Sequence, residues 1–189
     1  VMAGCDKFGD TNVSPTQLTV ASTDALFTSS LQAMSSLSLG NAASSRLGSL
    51  YMQQLAEGPY PGPSLYNDRN LTFTAWYTGP LYDLQTIINF NNEGRQETVG
   101  NGSKANQLAA ARILKAYYFL LMTDRWGDIP YSQALKASES YSPVYDKQQD
   151  IYTSLFKELT EAVAQIKESE TGMQGDVMLG GDMAAWKRF

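Results

Sequence analysis

The stretch from Lys104 to Arg125 constrains the fold more than any other part of this chain, because it carries apolar side chains on two faces at helical spacing. Ala105, Leu108, Ala109, Ala116 and Leu120 mark one face, and Ile113, Tyr117 and Leu121 mark another. A surface helix needs a single apolar stripe, so a helix with two must be covered on both sides. Its alanines let neighbouring helices approach closely, as in the middle of a helical stack. The expected stop is Arg125-Trp126-Gly127-Asp128-Ile129-Pro130-Tyr131. There Gly127 permits a positive φ, Pro130 prevents continuation, and Trp126 and Tyr131 can clamp the turn, a structural role.

Shorter helices are expected around this one. Ser22, Thr23 and Asp24 supply cap chemistry for a helix with Phe27, Leu31 and Met34 on one face, ended by Gly40 and Asn41. A second, from about Ala43 to Ala56, places Leu47, Leu50, Tyr51 and Leu55 together before Gly58 and Pro59. A third carries Leu81, Leu84, Ile87 and Ile88, and either begins near Pro80 or runs from about Thr72 with a kink there. Asp146 and Gln149 read as a capping box for a helix whose stripe is Ile151, Leu155, Leu159, Ala162 and Ile166, with Lys157, Glu158, Glu161, Lys167 and Glu168 mostly facing water. Gly172, Gly175, Gly180 and Gly181 mark a loop, after which Asp182 caps a short helix containing Trp186. The fold class expected is all-α, a tetratricopeptide-like stack of helix-turn-helix units with long loops. That repeat reading rests on helix lengths and order, since no strict period of self-similarity is present.

Composition removes several functions. The chain has no histidine, so a Ser-His-Asp hydrolase is excluded within it and a zinc enzyme is disfavoured. Its single cysteine forms no intrachain disulfide and no thiolate cluster. With a net charge of -5 and no basic stripe, nucleic acid is not an expected partner. No calcium-loop pattern of Asp and Asn ending in Glu occurs, and no metal ligands or cofactor are expected. The cysteine lies in Val1-Met2-Ala3-Gly4-Cys5, small residues leading into Cys5 and then a polar stretch to residue 20. This resembles the end of a bacterial lipoprotein signal, with Met2 where leucine is commonest, and makes Cys5 the expected lipid anchor and residues 1–20 a tether.

Taken in order, Cys5 in that setting, Asn12-Val13-Ser14-Pro15, Ala109-Ala110-Ala111-Arg112, Trp126-Gly127-Asp128-Ile129-Pro130-Tyr131, Pro143-Val144-Tyr145-Asp146 and Gly180-Gly181-Asp182 with Trp186 resemble the SusD/RagB-like outer-membrane lipoproteins of Bacteroidota. The resemblance implies a cell-surface protein, held in the outer membrane through a lipid on Cys5. It further implies capture of an oligosaccharide or other nutrient, handed without chemistry to a SusC-like TonB-dependent transporter. Family members run to several hundred residues, so residues 21–189 are expected to be the helical N-terminal region of a longer protein.

Sugar capture needs flat aromatic faces beside planar amide, carboxylate or guanidinium groups. Tyr66, Asn67, Asp68 and Arg69 follow a segment whose three prolines, Pro59, Pro61 and Pro63, preclude regular helix, and Trp76 and Tyr77 lie just beyond. These six residues are the expected ligand site, against the alternative that Trp76 and Tyr77 belong to the core of the third helix. Two rival functions are a helical scaffold that binds protein, and a glycosidase using Asp124 and Asp128 as its carboxylate pair.

Overall fold

A computed structural model describes residues 20–37, 45–59, 61–66, 72–136 and 142–189. Its helices are α1 (Thr23–Leu37), α2 (Ser45–Tyr51), α3 (Thr74–Trp76), α4 (Tyr82–Glu93), α5 (Lys104–Trp126), α6 (Gln148–Gln165) and α7 (Met183–Arg188). Short 3-10 turns occupy Pro63–Leu65 and Gln96–Thr98, and a π turn at Tyr77–Leu81 joins α3 to α4. The architecture is the expected all-α, tetratricopeptide-like stack, in which α1 packs on α4, α4 on α5, and α5 on α6. Helix α5 is therefore covered on both sides, and Ala109, Ala110, Ala111, Leu114 and Met122 have no exposed surface.

The first turn of α5 holds two buried amides that organise the loops around it. Asn106 Nδ2 lies 2.9–3.2 Å from the carbonyls of Lys167, Glu170 and Thr171, while its Oδ1 accepts from the Lys167 N–H at 2.9 Å. Gln107 Nε2 donates to the carbonyls of Thr98 and Gly102 at 3.0 and 2.8 Å, and its Oε1 accepts from Thr23 Oγ1 at 2.7 Å and Asn91 Nδ2 at 3.2 Å. Buried amides without partners are costly, so these bonds decide where α1, α4 and both loops sit. The glycine loop then fits because side chains are absent. A Cβ on Gly172 would fall 1.9 Å from the Gly181 carbonyl oxygen, and one on Gly175 would fall 2.2 Å from that of Asp24. Asp176 completes this corner, accepting from the N–H groups of Met178, Leu179 and Gly181 and from the buried Trp186 indole at 2.7 Å.

The structure departs from the sequence reading in four places. First, α2 stops at Tyr51 rather than running to Ala56. Gln53 takes a left-handed φ of 57°, and bonds from Gln53 N to Leu50 O and from Gln54 N to Ser49 O close the helix in a Schellman motif without glycine. Leu55 is consequently exposed. Second, of the two readings of the third helix the kinked one holds: helical geometry begins at Thr74, and Gly79 leaves it with φ −111° and ψ −109° just before Pro80. Third, Asp146 does not cap α6. Its carboxylate accepts from Tyr131 N, Ser132 N and Ser132 Oγ at 2.7–2.9 Å, while Asp128 Oδ1 receives the Gln148 N–H at 2.9 Å in the first turn of α6. Ile129–Pro130 and Tyr145–Asp146 also pair as a two-stranded antiparallel sheet, β1 and β2. Fourth, Glu158 turns toward α5 and receives both Arg112 Nε and Nη2, at 2.8 and 2.9 Å, instead of facing water.

The helix stop itself follows expectation. Gly127 has φ 72°, its N–H bonds to the Thr123 carbonyl, and Thr123 Oγ1 returns a bond to Gly127 O at 2.8 Å. Tyr131 meets Phe119 edge-on at 4.8 Å.

Gly172→Ala is expected to lower folding stability by about 2–4 kcal/mol, because the methyl collides with the Gly181 backbone. A urea midpoint equal to that of the parent chain would contradict this packing. Acid should act on the carboxylates named above. The Arg112 hydrogen bonds hold Glu158 below its ordinary 4.5, and for Asp146 the bonds from Ser132 and Tyr131 outweigh burial and bring it below its ordinary 3.8. Groups depressed in the folded state contribute stability that is complete above those ordinary values and lost as pH falls through the folded ones. Thermal melts from pH 6 down to pH 2 should therefore show a fall in Tm beginning near pH 4.5, smaller in Arg112→Met.

Candidate functional site

The proline-rich segment folds back on the end of α2 through two tyrosines. Tyr66 adopts a left-handed φ of 57° directly after the Pro63–Leu65 turn, which brings its ring over that of Tyr51 at 5.4 Å and 27°. The Tyr66 hydroxyl donates to the Tyr51 carbonyl at 2.8 Å and accepts from Gln53 Nε2 at 3.2 Å. Ser64 Oγ accepts the Glu57 N–H at 2.9 Å, closing the loop between them. A non-glycine residue with positive φ is uncommon, and here the stacked ring and the two hydroxyl bonds hold it in place. The result is an aromatic surface at a set orientation, with Tyr66 54% exposed. Such a ring presents an apolar face beside hydrogen-bonding groups, which is the chemistry a saccharide requires.

The other expected site residues divide. Asn67, Asp68, Arg69 and Cys5 lie outside the described residues. Trp76 is 3% exposed, with ring edges against Tyr118 at 5.6 Å and Trp126 at 6.0 Å, so the expectation that it stacks on a ligand is corrected to a core role. Aromatic residues on a helix face are buried more often than displayed, and Trp76 sits on the inward side of the kinked helix. Tyr77 is half-buried between Phe73 and Phe119, and its hydroxyl donates to the Pro130 carbonyl. Burial first, with the nearby Tyr145 and Asp146, pushes the Tyr77 phenol well above its ordinary range, so it remains a neutral donor. Together Trp76, Tyr77, Phe73 and Trp126 tie α3 to the end of α5 through edge-on ring contacts.

The carboxylates considered for hydrolysis have structural partners. Asp128 receives a backbone N–H from α6, and Asp124 accepts the Tyr152 hydroxyl. Among the described residues no cluster of three or more His, Cys, Asp or Glu could hold a metal ion, and no helix is long and apolar enough to cross a membrane.

Sequence reasoning also missed an apolar groove of about 440 Å³ between α5, α6 and α7, lined by Tyr117, Leu120, Phe156, Leu159 and Phe189 among others. Phe156 is 67% exposed there. Its position at the edge of the α6 stripe was the available signal, but only the placement of α7 creates a groove beside it.

The chain matches a family described as SusD-like, starch-binding and associating with the outer membrane, over residues 15–189. No curated protein matches it. It is similar in fold to the crystal structure of a SusD homolog from Bacteroides fragilis NCTC 9343, at 24% identity and TM-score 0.68 over 88% of this chain and 33% of that one. A SusD/RagB family protein from Bacteroides thetaiotaomicron VPI-5482 aligns at 21% identity and TM-score 0.66, covering 90% and 36%. A SusD-like protein of Bacteroidetes AC2a aligns at 25% identity and TM-score 0.63, covering 88% and 31%. The chain thus spans about a third of the length of these structures.

Trp76→Ala should behave as a core deletion, costing about 3–5 kcal/mol of stability with a lowered urea midpoint. A variant that kept its stability and lost only ligand binding would return Trp76 to the site.

Proposed function

Since this chain belongs to the SusD-like family of outer-membrane-associated starch-binding proteins, we propose that it is the helical part of a cell-surface receptor that captures a saccharide nutrient and passes it on unaltered. The family match along residues 15–189 carries this reading. In it, Tyr66 supplies a stacking ring, Tyr51 stiffens that ring from behind, and Asn67, Asp68 and Arg69 supply amide, carboxylate and guanidinium partners for hydroxyls. Trp76 and Tyr77 belong to the helix beyond this segment and pack into the core. Binding of this kind uses stacking and several hydrogen bonds, and needs neither a nucleophile nor a cofactor. Residues 1–20 act as a tether, with a lipid on Cys5 holding the protein in the outer membrane. The recipient of the ligand is a SusC-like TonB-dependent transporter.

The groove at α5, α6 and α7 favours a second reading, in which this helical part also serves to dock polypeptide. Its lining is apolar and Phe156 projects into solvent there.

Calorimetry with maltooligosaccharides and other neutral glycans tests the receptor reading. A Tyr66→Ala variant, compared under conditions where its urea titration shows it fully folded, should bind about tenfold more weakly, the loss of one stacked ring. Equal affinity of parent and variant would remove Tyr66 from the site, and release of shortened glycans on prolonged incubation would replace a receptor with a hydrolase.

A further inference from the structure

A second cleft, on the opposite side of α5 from the groove lined by α7, has an unusual charge. Its volume is about 270 Å³, and Gln85, Lys115, Tyr131, Ser132, Leu135 and Lys136 line it. The Lys115 ammonium donates to Gln85 Oε1 at 3.0 Å, a neutral partner. Lysine has three N–H donors, so two have no acceptor among the described residues. The nearest acid acting on it is Glu158, but both oxygens of that carboxylate are already bonded to Arg112. Burial pulls the Lys115 pKa below its ordinary value, with Glu158 opposing the fall and Arg112 adding to it. Lys136 adds a second positive charge to the same cleft.

The walls have a matching polarity. Ser132 Oγ, which donates to Asp146, retains acceptor capacity, and Gln85 brings an amide. Tyr131, held edge-on to Phe119, and Leu135 form an apolar side. Leu135 has φ 62°, a left-handed conformation that a bulky side chain rarely takes, in the turn that lines the cleft.

We propose that this cleft binds a carboxylate-bearing saccharide unit, a hexuronate, with its carboxylate on Lys115 and Lys136 and its ring between Gln85, Ser132 and Tyr131. A neutral sugar offers the Lys115 ammonium only hydroxyls, whereas a carboxylate offers charge-assisted acceptors to Lys115 and Lys136 together. The site is separate from the Tyr51–Tyr66 surface, and it rests on the receptor reading only for the saccharide half of its ligand.

Titration of the chain with sodium glucuronate, glucose and sodium acetate, followed by backbone amide NMR and calorimetry, tests it. Glucuronate is expected to bind saturably, shifting amides of residues 131–136 and 85, and at least about tenfold more tightly than either glucose or acetate. Lys115→Met should lose about tenfold or more, Gln85→Met should weaken binding less, and Tyr66→Ala should bind glucuronate as the parent does. Should Lys115→Met not fold, the Gln85→Met and Lys136→Met variants carry the test. Equal binding of glucuronate and glucose overturns the proposal, as does acetate binding as tightly as glucuronate, or full affinity in Lys115→Met. Absence of glucuronate binding while maltooligosaccharides still bind overturns this site and leaves the receptor reading standing.

Discussion

The fold depends on two neighbouring amides, Asn106 and Gln107, buried at the start of α5. Each must find partners for both its donor and its acceptor, and the partners available are the backbones of the loops on either side. Asn106 thereby fixes the segment after α6, and Gln107 fixes the segment before α5 together with α1 and α4 through Thr23 and Asn91. Apolar burial alone would let these helices slide along each other. The amides remove that freedom, because a shift of one turn would strand several polar groups away from water.

Order at the start of α5 is matched by order at its end. Gly127 turns the chain, β1 pairs with β2, and Gln148 links α6 to the end of α5, donating its backbone N–H to Asp128 Oδ1 and its Nε2 to the Thr123 carbonyl at 2.7 Å. Trp126 then meets Phe73 and Trp76, so the segment leading out of the Tyr66 region is anchored against the same helix stop. The motif at residues 126–131 accordingly serves the proposed binding surface indirectly. It places the helix that follows that surface, and it positions the turn that lines the Lys115 cleft.

Much of this was legible because periodicity and backbone chemistry are local. The two-faced pattern of α5, the stop at Gly127 and Pro130, and the Asp182 cap of α7, with bonds to Ala184 N and Ala185 N at 2.9 and 3.0 Å, follow from neighbours in sequence. The errors were also local in origin. Leu55 sits at helical spacing from Leu47 and Tyr51, yet α2 ends early with Gln53 turned left-handed and Tyr66, 15 residues away, bonded to the Tyr51 carbonyl. Asp146 and Gln149 satisfy the spacing of a capping box, yet that carboxylate is drawn to three donors on Tyr131 and Ser132 across the two-stranded sheet. Trp76 and Tyr66 are both aromatic residues near the proline-rich segment, and nothing in their spacing tells which ring is covered.

By itself the sequence determined the all-α class, the central place of α5, the absence of histidine chemistry and the family to which the chain belongs. These follow from residue type and spacing, which act through the backbone of the residue concerned or of its near neighbours. Tertiary structure alone decided that Trp76 is core while Tyr66 is displayed, that Glu158 is used by Arg112, and that Lys115 lines a cleft with the neutral Gln85 as its hydrogen-bond partner. Burial and charge compensation depend on which distant segments arrive beside a side chain, and that is set by packing rather than by sequence position.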